Sequence, residues 1–349
     1  MVITVEKAAG IFSRSLTPNR PYHVQWMLTR KCNYRCRGCN VWQEQDTKEL
    51  PTEKVKEGLD NLRKSGAIEV VLSGGNPLLR SDIGEIVDYA SRYFVTTVYD
   101  NGSMAADRID DLRNADFVAI SIDSLDPEKN DYVKGVKDSL RKALTSVERL
   151  HEEGINVSVS PTISRMNLDE IVDLTSYFLS KDIPVWYCLY SFDLNAQDEL
   201  FRIGKKNDEF TITDNKAIVN LFDAILRLKK GNKRILMTHK LLETVRDFYC
   251  TGKKNCTCRA LQSFLVVDHI GRVSGCHLHE PVATVFDLPE VWNTPRLETL
   301  RDVYGRCTQC TYMCYIFYSL HGTVLGNVRI AMEHWRNAGL MLRKKPSRV

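Results

Sequence analysis

The sequence has no apolar run of the roughly 18–20 residues that a bilayer-crossing helix needs, so no spanning segment is expected. Its first residues, MVITVEKAAGIFSRSL, lack apolar length and a small-residue cleavage site, and no secretory signal is read there. Charge of one sign is scarce as well. With 48 basic and 44 acidic side chains the formal net charge is +4, too mild by itself to argue for nucleic acid as a partner. No internal repeat or low-complexity tract interrupts the chain, which excludes solenoids and disordered arrays. Apolar residues at 43% and charged residues at 26% are the composition of an ordinary globular protein. A length of 349 residues suffices for one large core with an appended domain, or for two domains.

Cysteine, by contrast, is abundant and grouped. Of eleven, three lie at Cys32, Cys36 and Cys39 and six at Cys256, Cys258, Cys276, Cys307, Cys310 and Cys314; Cys188 and Cys250 stand apart. An odd count without a secretion signal argues against a disulfide framework and for thiolate ligands in a reducing compartment. The expected location is the cytoplasm.

From about residue 22, short β-rich runs alternate with longer helical periods. Strands are expected at 24–28, 69–72, 96–99, 117–122, 156–160 and 185–189. Between or after them, apolar residues recur three and four apart, as in Val55, Leu59, Leu62 or Ile218, Leu221, Phe222, Ile225. Six strand–helix units imply parallel strands with right-handed crossovers, in an open sheet or a partial barrel, with ligands at the carboxyl ends of the strands. After Lys229 the rhythm stops, GNKRILMTHK reads as a linker, and a boundary is expected near residue 235. The organisation expected is an N-terminal segment 1–21, a barrel 22–235 and a cysteine-rich domain 236–349.

Directly after the first strand comes LTRKCNYRCRGCNVW. Three cysteines spaced C-x3-C-x2-C on one loop can give a [4Fe–4S] cubane three thiolates and leave one iron open to a small molecule. The competing reading is zinc, which in structural sites wants four closed ligands and commonly takes two C-x2-C pairs.

This loop resembles that of the radical S-adenosylmethionine superfamily, which carries C-x3-C-x2-C after the first strand of a partial (β/α)6 barrel. The resemblance implies that the open iron chelates S-adenosylmethionine and that a reduced cluster splits it into methionine and a 5′-deoxyadenosyl radical. An external donor of ferredoxin or flavodoxin type is then expected. Gly38 stands where the family has an aromatic residue near the adenine, leaving Tyr34 and Trp42 as candidates for that contact. After the second strand, VVLSGGNPLL resembles the family's GGEP motif, with Gly74, Gly75 and Pro77 matching and Asn76 in place of glutamate. Gly74, Gly75 and Asn76 are thereby implied as cosubstrate contacts. The third strand ends in an Asn101–Gly102 pair that the family also favours. The fourth implies Ser121 and Asp123 at the ribose, and Lys134–Gly135 resembles the family's Arg-Gly. Ser160, Thr162 and Asn167 are weaker candidates.

The second group, C-x12-G-x4-C followed by C-x2-C-x3-C, resembles the SPASM and twitch extensions of the same superfamily. It implies one closed auxiliary [4Fe–4S] cluster on Cys258, Cys276, Cys307 and Cys310, with Cys256 and Cys314 as substitutes. Zinc competes there, and His277 and His279, read as exposed loop histidines, are set aside. Cys188 in the sixth strand is a candidate catalytic hydrogen donor, against the reading that it packs as a small hydrophobe. Val324, Val328, Ala331, Trp335, Ala338 and Leu342 sit at helical spacing with Arg329, Arg336 and Arg343 on one flank. Such a helix either caps a core or meets a membrane or lipid surface. The function expected is an enzyme acting on an unactivated bond of a small metabolite, tetrapyrrole, lipid or peptide. The alternative class is a non-enzymatic iron–sulfur or zinc protein.

Overall fold

The computed structural model describes residues 7, 9–10, 13–14, 20–43, 48–190, 208–277, 279–308 and 311–322. In chain order they form β1 (His23–Thr29), α1 (Thr52–Lys64), β2 (Glu69–Gly74), α2 (Ile83–Ser91), β3 (Val95–Asp100), α3 (Ile109–Leu112), β4 (Phe117–Ile120), α4 (Pro127–Lys134) and α5 (Ser139–Glu152). Then come β5 (Val157–Val159), β6 (Thr162–Ile163), α6 (Ile171–Ser180), β7 (Cys188–Leu189), α7 (Asn215–Gly231) and α8 (His239–Thr251). The last third holds β8 (Phe264–Val267), β9 (Arg272–Ser274), β10 (Ala283–Thr284), α9 (Leu288–Val291), α10 (Pro295–Gly305) and α11 (Met313–His321). The expected C-terminal helix over 324–342 lies outside the described residues. Among the described residues no helix is long and apolar enough to cross a membrane.

The helices begin and end where local chemistry directs. Asp126 caps α4 by accepting from the Glu128 and Lys129 amides ahead of Pro127, and Asp214 caps α7 through the Ala217 amide. Buried Val55, Leu59 and Leu62 put one stripe of α1 on the sheet. Strands β1 to β5 are parallel neighbours, which with their helices make the expected partial (β/α)6 barrel. The fifth strand is shorter than expected because Pro161 has no N–H to give the ladder. Pairing resumes beyond it, where β6 runs parallel to β7. Only Cys188 and Leu189 of the expected sixth strand are regular, and Val185 bridges Val159 on one side and Ile235 on the other. The stretch expected as a linker therefore contributes to the barrel, and Thr238 within it caps α8.

The sheet does not stop at residue 235. β8 pairs in parallel with β1, from His23 against Phe264 to Trp26 against Val267, and β9 and β10 continue it antiparallel. β8 and β9 form a hairpin around Gly271, the glycine of the C-x12-G-x4-C spacing, whose φ of 86° suits glycine. The turn is organised by Asp268, which is wholly buried. Its Oδ1 accepts from the Ile270 and Arg272 amides at 3.1 and 2.7 Å, and its Oδ2 from Arg272 Nε at 2.6 Å. Its carbonyl takes the indole N–H of buried Trp26 at 3.1 Å. Finally α11 packs against α8, β7 and β8, so one helix of the C-terminal third spans from one side of the open barrel to the other.

Removing the Asp268 carboxylate strands buried backbone donors, so Asp268→Ala should cost about 1–3 kcal/mol of stability. A lowered denaturant midpoint would register this, with Asp268→Asn losing less because one acceptor remains.

Candidate radical-generating site

Alternation along the parallel strands decides what faces inward. In β2 to β4 the odd-numbered residues Glu69, Val71, Ser73, Val95, Thr97, Tyr99, Phe117 and Ala119 line a cavity of ≈ 560 Å³, and Ser121 extends the row just past β4. Cys32, Cys36 and Cys39 lie in its wall near the carboxyl ends of the strands, while Tyr22, His23 and Glu69 lie toward the opposite end. From α11, Cys314, Phe317 and Tyr318 complete the wall.

The cysteine loop is gripped by its neighbours through backbone. Gly75 donates to the Thr29 carbonyl and Asn76 to the Lys31 carbonyl, both at 2.8 Å. A Cβ on Gly75 would strike the Lys31 carbonyl, so the motif's second glycine is needed for this approach. On the other side the Arg35 and Arg37 amides donate to the carbonyls of Lys134 and Val133. Gly135, at a φ of 65°, lies so close to the Arg35 carbonyl that a Cβ there would collide with it.

Burial opposes charge on the three thiols. It pushes Cys32 up, Cys36 up to about 12 and Cys39 up to about 11. The counterweight is Lys134, a buried ammonium whose charge pulls Cys36 and Cys39 back down. Burial works against that ammonium, but Asp123 and the neighbouring thiols outweigh it and hold Lys134 above its ordinary value. Its Nζ lies 2.8 Å from Asp123 Oδ2 and donates to Ser121 Oγ at 2.7 Å. A cation beside three thiols is what a ligand set needs, because iron takes thiolates. Among the described residues no three His, Cys, Asp or Glu side chains close on the spacing of a single metal ion. Three thiols of one loop in one cavity wall are a donor set that fits a cluster with a small molecule beside it.

The remaining residues singled out from the sequence separate into two sets. Gly74, Gly75, Ser121, Trp42 and Cys188 line the cavity; Asn76, Asp123 and Tyr34 do not. Asn76 is wholly buried. Its Oδ1 accepts from the Leu78 amide at 2.9 Å and its Nδ2 donates to Asp100 Oδ1 at 2.8 Å. Asp123 Oδ1 is occupied by the Thr162 amide at 2.8 Å, and Asn167 donates to the carbonyls of Asp123 and Thr162. Ser160 Oγ lies 3.5 Å from Cys188 Sγ. At Gly38 a Cβ would lie 2.8 Å from the Tyr190 ring, and Phe210 flanks it. The space beside Gly38 is thus filled by aromatics from beyond the sixth strand rather than from the loop. Asp100 and Tyr99 at the cavity and these two rings beside Gly38 are what sequence reasoning missed, and Lys134, read there only as a motif match, enters as the buried cation beside the thiols. The odd-residue alternation of β3 and β4 was the available signal for Tyr99.

In the C-terminal group, beyond the burial that raises each of them, Cys258 feels the charge of Cys307, Cys256 that of Cys258, and Tyr304 that of both Cys276 and Cys258. Tyr304 packs directly on Gly275. Cys310 lies outside the described residues. His277 is buried rather than exposed, its Nδ1 3.0 Å from Tyr315 Oη, and burial pushes it down to about 3. Cys314 lines the barrel cavity.

Comparison with known proteins agrees with this geometry. The family model described as Radical SAM superfamily matches residues 26–178. The AdoMet-dependent heme synthase of Methanosarcina barkeri is 26% identical over 84% of this chain and 89% of its own length. The Fe-coproporphyrin III synthase of the same organism is 31% identical over 57% of this chain and half of its own length. Among solved structures, Streptococcus suis SuiB bound to S-adenosylmethionine superposes with a TM-score of 0.63 at 16% identity, covering 84% of this chain and 71% of that one. A cavity with three thiols on one loop, a glycine pair clamped to it and a family match across the first five strands lead to one conclusion: the chain belongs to the radical SAM superfamily of enzymes, which work with a [4Fe–4S] cluster and S-adenosylmethionine.

Proposed function

We propose that Cys32, Cys36 and Cys39 hold a site-differentiated [4Fe–4S] cluster at which S-adenosylmethionine is cleaved, and that the resulting radical attacks an unactivated bond of a tetrapyrrole. The observation carrying the first part is that the three thiols share one loop in the wall of a single cavity without a fourth on that loop. Gly74, Gly75 and Ser121 at the wall are the cosubstrate contacts in this reading, and Asn76 and Asp123 support them from behind. When bound, the cluster supplies the electron. The chain's own residues hold the thiolates, exclude water and orient the cosubstrate. The tetrapyrrole class rests on the two relatives whose names state it, the first of which spans most of this chain. Residues 22–235 and 236–349 are taken as the barrel and the cysteine-rich extension. In the extension Cys258, Cys276, Cys307 and Cys310 form a closed auxiliary cluster, with Cys256 the nearby substitute. An electron donor of ferredoxin or flavodoxin type completes the set.

Anaerobically reconstituted protein given dithionite and S-adenosylmethionine should release 5′-deoxyadenosine, and the Cys32→Ala/Cys36→Ala/Cys39→Ala variant should release none. Activity surviving in that variant would sink the assignment. Metal analysis should return about eight irons for two cubanes; four with one zinc would make the C-terminal site structural. Iron-coproporphyrin III should shift its Soret band on titration with the protein, and an unchanged spectrum removes the tetrapyrrole class alone.

Lys134→Met should lower the iron retained by the loop after gel filtration, while Lys134→Arg keeps it. Equal iron in both variants would show that the buried cation does not support the thiolates.

Asn76→Glu would set a second carboxylate against buried Asp100, itself pushed above the ordinary carboxylate range by burial. A loss on the order of 1–3 kcal/mol is expected, recovered when Asp100→Asn is added. Thermal denaturation of the single and double variants reads this, and additive losses would contradict it.

A further inference from the structure

We propose that Cys188 and Cys314 form a hydrogen-donating thiol pair in the same cavity as the three loop cysteines. The inference rests on the radical reading above and adds a fate for the radical. Cys188 opens β7, Cys314 is the second residue of α11, and α11 packs directly on β7. Both side chains line the cavity that contains Cys32, Cys36 and Cys39. Cys188 lies outside both cysteine groups, and Cys314, a substitute rather than a member of the four-cysteine set read from the sequence, lines the barrel cavity and feels the charge of Cys188. Two thiols of independent sequence origin, 126 positions apart by their numbers, thus converge on one radical chamber.

The surroundings suit donation of a hydrogen atom rather than nucleophilic or metal chemistry. A donor must carry its S–H proton; burial pushes Cys314 up to about 12 and pushes Cys188 up against the opposing pull of Ser160 and Lys134. Ser160 Oγ, 3.5 Å from Cys188 Sγ, gives that thiol an oriented polar neighbour. Tyr99 shares the wall with both, and its hydroxyl is held protonated by burial.

The step is written with Cys188 first. A carbon radical takes the hydrogen atom of Cys188: the S–H bond breaks, a C–H bond forms, and a sulfur radical remains. Cys314 then closes an S–S bond to that sulfur, its proton leaves to water, and the surplus electron leaves to a one-electron acceptor, a role that an oxidised iron–sulfur cluster held by the loop thiols would supply. A dithiol reductant afterwards reopens the disulfide with two electrons and two protons. A single thiol would leave a sulfur radical without a partner; the second thiol is what lets the pair finish in a closed-shell state.

The test uses full-length reconstituted protein in deuterium oxide, with dithionite and S-adenosylmethionine as the probe and no further substrate. Thiol protons exchange with solvent, so wild-type 5′-deoxyadenosine should carry one solvent deuterium in the newly formed methyl group. In Cys188→Ala/Cys314→Ala the deuterium per molecule of 5′-deoxyadenosine, whatever its yield, should fall several-fold. Cys188→Ser/Cys314→Ser, which keeps the side-chain size, should fall alike. An unchanged deuterium fraction in both double variants overturns the pair as donor. In parallel, stoichiometric diamide on the cluster-loaded protein should yield a Cys188–Cys314 disulfide by peptide mass mapping. If it yields none, the two thiols do not meet and the second step fails. Absence of 5′-deoxyadenosine from the wild type overturns the radical reading itself, and with it the donor role.

Discussion

Strand β1 is hydrogen-bonded in parallel on both edges, to β2 and to β8, and the site depends on that double pairing. One edge brings the glycine pair at the end of β2 against the loop that follows β1. The other brings the last third of the chain up to the barrel, so that α11 reaches β7 and β8. A loop with three cysteines has no fixed shape by itself. It acquires one because its root is a strand that cannot slide without breaking two ladders at once. The same constraint makes the C-terminal third part of the cavity wall, with Cys314, Phe317 and Tyr318 facing inward.

The electrostatics follow from closing that cavity. Burial raises every thiol in it, which favours S–H at Cys188 and Cys314 and opposes the thiolates that iron requires at the loop. Lys134 opposes that burial at Cys36, Cys39 and Cys188, and its ammonium is itself held by Asp123 and Ser121.

The departure from the family's motif at Asn76 has a physical counterpart in Asp100. Asp100 Oδ2 accepts from the Gly102, Met104 and Ala105 amides, and its Oδ1 accepts from Asn76. Asn76 Nδ2 also reaches Asn33 Oδ1 and Asn101 Oδ1, the former on the cysteine loop and the latter on the turn after β3. A carboxylate at position 76 would donate nothing to these oxygens and would repel Asp100. The amide joins three loops that a charge would drive apart.

The sequence by itself determined the local features. Strand–helix alternation set the six units because apolar period follows secondary structure, and the C-x3-C-x2-C spacing put three thiolates on one loop because three residues or fewer separate them. The Gly271 hairpin was likewise readable, since a tight turn needs a residue free to take positive φ. What only the tertiary structure decided involves residues far apart in the chain. The pairing of β8 with β1, the place of Cys314 in the cavity wall, and the inward turn of α11 leave no mark in local spacing. The break at Pro161 was visible as a proline, but its consequence depended on a neighbouring strand to resume with. The buried hydrogen bonds of Asn76 likewise depend on β3 delivering Asp100 to it. Side-chain direction at such positions is set by long-range packing, which one-dimensional pattern does not carry.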